Sequence, residues 1–185
     1  VYFAVSSVGA MIIVNTVVLT RGVLGGSELL TTSFLACAGA GSMCAAFMIP
    51  RLIERLGERP LMLMGIVAAA NAMILGGALM MAGGASVAAY AILWAIAGAG
   101  TTFAQTPGGR LVQRSASDGD RSAFFAANFA LSHGGWLFAY GIVGWLGSLA
   151  DLSVAFLASG GLAFVATVVA VTLWPKEDRQ EIRHS

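Results

Sequence analysis

The sequence predicts an all-α membrane protein built from six transmembrane helices, and three observations carry that prediction. Of 185 residues, 58% are hydrophobic and only 10% are charged. The few charges are gathered at Arg21 to Glu28, Arg51 to Arg59, Arg110 to Arg121, Asp151 and Lys176 to the end. Between these clusters lie uncharged runs, each long enough to supply the roughly 20 apolar residues that cross a hydrocarbon core of about 30 Å.

Taken in order, the first run spans residues 1–20 and the second 29–50. The next, 60–109, is too long for one crossing and divides at "AGGAS", residues 82–86, where paired glycines and a serine favour a turn. That gives a third helix over about 60–82 and a fourth over 86–107. The fifth is expected at 122–148 and the sixth at 152–174, followed by a charged tail at 176–185. A water-soluble bundle would need a polar outer face on each helix, and these runs have none. Membrane strands would alternate polar and apolar residues, whereas "VAAYAILWAIAGAG" and "LAFVATVVAVTLW" are apolar all round.

Other classes are excluded on composition. The net charge of +1 is a balanced sum with no basic face, so nucleic acid is not an expected partner. Cys37 and Cys44 lie about 10 Å apart along one helix, too far to bridge. The chain starts inside an apolar run with no basic stretch ahead of it. This argues against a signal peptide and for a beginning further upstream.

If the connections alternate sides, one set carries Arg51, Arg55, Arg59, Arg110, Arg114, Arg121, Lys176, Arg179 and Arg183, and the other only Arg21. Nine cations against one is a positive-inside asymmetry, which places both ends of the chain in the cytoplasm. The stretch "RLIERLGERP", residues 51–60, holds five charges of alternating sign around Gly57 and ahead of Pro60. Glycine permits a tight break and proline a helical restart, while Glu54 is able to pair with Arg51, Arg55 or Arg59 or to sit at the positive N-terminus of a neighbouring helix.

This stretch resembles the signature loop of the major facilitator superfamily. Glu54, Arg55, Gly57 and Arg59 match its acidic, basic, glycine and basic positions in order. Pro50 stands where the leading glycine would be, and Pro60 where a second basic residue would be. The resemblance implies the C-terminal six-helix half of a twelve-helix transporter, with a missing N-terminal half as its partner. It also implies that Glu54, Arg55, Gly57 and Arg59 form a conformational latch between the halves. In that family the first and fourth helices of each half line the central cavity, while the third and sixth lie outside. Asn15 is thereby favoured for the cavity, and Asn71 is expected only to join helices.

Close packing between membrane helices relies on small residues. Ser33, Cys37, Gly41 and Ala45 supply such a stripe on the second helix, Ala68, Ala72 and Gly76 on the third, and Ala126, Ala130 and Gly134 on the fifth. Polar residues at membrane depth are more informative, because each costs free energy unless it faces protein or water. The fourth helix carries Tyr90, Trp94, Gly98, Thr101 and Gln105 on one face, and the fifth carries Asn128, Ser132, His133, Trp136 and Tyr140. Matched by depth, the two stripes read as one continuous lining across the bilayer. His133, whose residue type titrates near neutral pH, is a candidate substrate contact or proton relay.

No carboxylate falls within a span. A phosphate-binding G-x-x-x-x-G-K-[ST] loop and metal-ligand spacing are both absent, so neither a cofactor nor a metal is expected. The expected function is transport of a small solute by alternating access. Within that, the resemblance to bacterial drug or metabolite exporters favours efflux across the inner membrane, with proton-coupled antiport as one form. A six-helix channel or membrane-embedded subunit is the alternative. An intramembrane hydrolase fits less well, because Ser132 and His133 are adjacent and point about 100° apart on a helix.

Overall fold

The computed structural model describes residues 1–84, 86–115, 121–149 and 151–174. They form six long helices: α1 (Tyr2–Val17), α2 (Glu28–Leu56), α3 (Glu58–Met81), α4 (Val87–Ser115), α5 (Arg121–Leu149) and α6 (Leu152–Leu173). Among the described residues, five spans are long and apolar enough to cross a membrane: α1 with its continuation to Val23, then α2, α3, most of α4, and α6. Helix α5 is 29 residues long but falls outside that group. Asn128, Ser132, His133, Trp136 and Tyr140 dilute its apolar character.

Several helices extend beyond the uncharged runs, because backbone hydrogen bonding does not stop where side-chain polarity begins. Helix α2 continues through Pro50 and the charged stretch to Leu56. The connection expected at 51–59 therefore contracts to Gly57 alone. Gly57 has φ 81° and ψ 166°, a left-handed backbone that favours glycine, and α3 restarts at Glu58 with Pro60 in its first turn. Helix α4 likewise runs through Pro107. Each proline removes one backbone donor inside its helix. At the start of α6, the side chain of Asp151 accepts from the Ser153 backbone N–H at 2.9 Å, which satisfies one free donor of the first turn.

Beyond Val17 the first helix widens into a π-helical segment, Val18–Val23. The hydroxyls of Thr16 and Thr20 bond back to the carbonyls of Ile12 and Thr16. Thr20 also meets Thr31 of α2 across 2.6 Å between hydroxyl oxygens. Gly25, with φ 63°, then turns the chain toward α2.

The helices pack as two triplets, α1 with α5 and α6, and α4 with α2 and α3; α3 and α6 join the two. Helix α1 thus stands to α5 and α6 as α4 stands to α2 and α3. This is the arrangement of a three-plus-three repeat nested in a six-helix unit. The core lies along α1, α3 and the middle of α4, where Met11, Ile66, Met73, Tyr90 and Trp94 are buried. Most of α2 and α5 is exposed.

Lipid tails are as apolar as leucine, so helices associate here through close contact and interhelical hydrogen bonds. Small residues permit that contact, on faces that only partly match those expected. Gly41 of α2 lies against the Ala95 backbone of α4, and Gly98 of α4 against the Ala38 backbone of α2. The hydroxyl of Ser42 donates to the Gly98 carbonyl at 3.0 Å across the same seam. On α3 and α6, Gly76 receives the ring of Phe156, and Gly160 fits against Ala70 and Ile74. On α5, however, Ala126 and Ala130 are exposed. The packing stripe there is Gly135, Ala139 and Val143, which faces α1. One residue along from Gly135, the Trp136 ring lies against Gly9 of α1 on the same seam.

Replacing Gly98 or Gly41 by Ala should lower the melting temperature of the detergent-purified protein. A new Cβ there meets backbone across the seam, and overpacking of this kind costs about 1–3 kcal/mol. Gly39→Ala, which meets nothing within 4 Å, serves as the control. Equal melting temperatures for Gly98→Ala and Gly39→Ala would contradict the seam.

Candidate functional site

The two polar stripes meet different fates. On α4, Tyr90 and Trp94 are fully buried. The Tyr90 hydroxyl donates to the Gly76 carbonyl of α3 at 3.2 Å, and its ring lies 5.9 Å from that of Phe156. The indole N–H of Trp94 donates to the Thr16 hydroxyl of α1 at 2.9 Å. Its ring meets Phe34 of α2 and Phe156 of α6 edge-on, each at 5.7 Å. Trp94 therefore binds α1, α2, α4 and α6 together.

Thr101 bonds back to the Gly98 carbonyl at 3.0 Å. It borders a small gap shared with Ala4, Val5 and Val8 of α1 and Ile66 and Ala69 of α3. Of the α4 stripe only Gln105 is exposed. Helices α4 and α5 scarcely touch. The single lining expected across both is thus divided: the α4 part faces inward and joins helices, because neighbouring aromatic rings close over it.

The α5 stripe remains open or partly open. Asn128, Ser132 and Trp136 are half-buried along the edge that meets α1, and His133 and Tyr140 are exposed. Trp136 rests on Gly9, and its ring lies 5.2 Å from that of Tyr140. The imidazole of His133 stacks on Phe129, with ring centroids 3.8 Å apart and planes 29° from parallel. His133 Nδ1 lies 2.9 Å from the Phe129 carbonyl oxygen and 3.3 Å from Ser132 Oγ. Helix α5 thus presents an amphipathic side made of hydroxyls, one amide, one imidazole and aromatic rings.

Asn15 is buried at the α1–α5 seam, where its amide donates to the Val143 carbonyl at 3.4 Å and presses against Gly147. Asn71, expected to join helices, does not. It is exposed on α3 and donates to the Val67 carbonyl of its own helix at 2.9 Å, a local bond that satisfies one amide donor without a neighbour. The sequence reading missed Ser7, Ser159 and Thr16. The Ser159 hydroxyl donates to the Ser7 carbonyl at 2.8 Å, fastening α6 to α1. Nothing in their spacing distinguishes these hydroxyls from others that bond within their own helix.

The charged turn separates into two parts. Glu54 and Arg55 end α2 in exposed positions, and among the described residues neither forms an ion pair. The pairing of Glu54 with Arg51, Arg55 or Arg59 is therefore not formed. The Arg59 guanidinium instead lies 5.1 Å over the Trp174 ring at the end of α6, a cation–π contact worth about 0.5–1 kcal/mol at an exposed site. At the opposite end of the bundle Arg21 and Glu28 pair at 3.7 Å. Lys176, Arg179 and Arg183 lie outside the described residues, as do the side chains of Arg114 and Arg121. Among the described residues no group of His, Cys, Asp and Glu is placed to hold a metal ion.

Apolar helices in two interlocked triplets, with a glycine turn between charged helix ends, define an integral membrane bundle. The chain belongs to the Major Facilitator Superfamily, whose family model matches residues 1–185. Among curated proteins none matches the chain. Membership makes it a protein of solute transport across a membrane.

The Trp94–Thr16 bond allows a direct check. Trp94→Phe removes the donor and also part of the ring packed between Phe34 and Phe156, so it should cost about 2–4 kcal/mol. Thr16→Val strands a buried indole N–H and should cost about 1–3 kcal/mol. Thermal unfolding in detergent of the two single variants and the double variant should give a coupling of about 0.5–1.5 kcal/mol between the sites. Additive losses would show that the bond does not hold the seam.

Proposed function

We propose that this chain is one half of an exporter that moves small amphipathic solutes by alternating access, rocking against a second six-helix bundle applied to the open sides of α2 and α5. The observation that carries this reading is the character of α5. It has the length of a spanning helix, yet it turns a hydroxyl, an imidazole and aromatic rings away from the bundle. Polar groups at membrane depth face protein or water, so this side borders an aqueous path and not acyl chains. Asn128, Ser132, His133, Trp136 and Tyr140, with Gln105 near one end of α4, are the residues proposed to meet solute. Asn15, Tyr90, Trp94 and Thr101 support that path from behind, by fixing α1 and α4.

The arginine-bearing turn faces the cytoplasm in this reading, as the positive-inside rule requires, and the membrane is a bacterial inner membrane. Glu54 and Arg55, exposed and without ion pairs among the described residues, are the pair proposed to engage the second bundle in one state and release it in the other. Arg59, held over Trp174, keeps the turn attached to its own bundle. Proton-coupled antiport is the form of driving force proposed.

The test is accessibility. With Cys37 and Cys44 replaced by Ala, single cysteines at Ser132 and Tyr140 should react in membrane vesicles with a membrane-impermeant methanethiosulfonate. A cysteine at Val165, exposed on the apolar α6, should not. Protection of both α5 positions to the same degree as Val165 would place that side in lipid and sink the reading. Separately, Glu54→Gln in the intact transporter should slow ethidium efflux several-fold while the half-saturating ethidium concentration stays nearly constant. A large loss of apparent affinity would argue against a latch.

A further inference from the structure

The two nitrogens of His133 have different surroundings, and this difference fixes what the ring offers. Nδ1 lies 2.9 Å from the Phe129 carbonyl oxygen, which can only accept. The nitrogen facing it must therefore carry the proton. Ser132 Oγ lies 2.9 Å from the same carbonyl, to which it donates, and 3.3 Å from Nδ1, a longer approach than the carbonyl makes. In the neutral ring, proton on Nδ1 means a bare lone pair on Nε2. Among the described residues nothing in the protein bonds to Nε2.

The orientation of that lone pair is also constrained. The hydrogen bond to the carbonyl four residues back sets the tilt of the ring, and the stack on Phe129 at 3.8 Å restricts its rotation. Nε2 is on the far side of the ring from the backbone and points outward on the exposed side of α5. A hydrogen-bond acceptor fixed in direction and left without a partner is the kind of group that specifies a bound molecule: a ligand without a donor leaves it unpaired and pays for its desolvation.

Resting on the reading that this side of α5 borders the solute path, we infer that His133 is a specificity-determining residue. It presents Nε2 as a fixed acceptor and selects solutes that carry an N–H or O–H donor beside an apolar or aromatic body, the body lying against Phe129, Trp136 and Tyr140.

In the intact transporter in nanodiscs, the His133 imidazole is identified as the nitrogen-15 signals that disappear in His133→Gln. At a pH where the ring is neutral, nitrogen-15 spectra should show Nδ1 bearing the proton and Nε2 bare. The opposite tautomer would overturn the assignment. Diethylpyrocarbonate, which acylates an accessible unprotonated ring nitrogen, should modify His133 in the same protein, and no modification would mean that Nε2 does not open to water. The donor requirement is read by protection. Ethidium, which carries aryl N–H donors, should slow the modification several-fold, whereas tetraphenylphosphonium, an aromatic cation without such donors, should leave it unchanged. Equal rates with the two cations would overturn the donor assignment. Cysteine labelling at Ser132 and Tyr140 separates the failures. If those positions label and the tautomer is wrong, the path stands and the role of His133 falls; if they do not label, the path itself falls.

Discussion

A polar group in hydrocarbon must find its partner within the protein, and this single requirement orders the bundle. Water is not available to accept the bonds that helices leave over, so hydroxyls fold back onto carbonyls one turn away, as in Thr16, Thr20 and Thr167. Where a side chain reaches further, it spans a seam: Trp94 to Thr16, Tyr90 to Gly76, Ser159 to Ser7. Among the described residues no buried side-chain nitrogen or oxygen is left without a partner. Bringing donor and acceptor close enough requires backbones nearly in contact. The glycines of α2, α4 and α3 permit this. Small residues and interhelical hydrogen bonds are therefore two parts of one solution, each dependent on the other.

Against that rule α5 is the exception that points to function. Its polar side chains are not drawn into seams to the same extent, although it packs against α1 through Gly135, Ala139 and Val143. Leaving such groups in oil costs free energy, and the proposal made for α5 rests on that cost. Helix α2 is also largely uncovered, with Leu29, Met43 and Phe47 among its most exposed residues, and α5 exposes Leu131, Leu137 and Phe138 to a similar degree. The two open helices thus share an apolar outer surface, and α5 differs in the polar side chains set among it.

Much of this was legible in the sequence. The six helices follow from where charge is absent, and the break after α2 from Gly57. What the sequence could not supply was the identity of the surface that covers each helix face. Tyr90 and Trp94 occupy the expected face of α4, yet whether that face is open depends on Phe34 and Phe156, which are remote in the chain on either side. The small residues Ala126, Ala130 and Gly134 have the spacing of a packing stripe. The seam instead follows the neighbouring face of Gly135, Ala139 and Val143, beside which Trp136 lies on Gly9. Periodicity assigns residues to a side of a helix. It carries no information about which side a neighbour will take. The π-helical widening after Val17 was likewise invisible, since it reflects where hydroxyls find carbonyls in three dimensions.

The contact of Arg59 with Trp174 has a mechanical consequence. Arg59 sits one residue beyond the start of α3, beside the only interruption between α2 and α3, and it rests on the terminal ring of α6. The clasp ties the start of α3 to the end of α6, so the two tips separate only at the cost of uncovering an aromatic face, about 0.5–1 kcal/mol. The Gly57 turn is therefore fastened on both sides: by the helices it joins and, more weakly, by a ring that the chain reaches more than a hundred residues later.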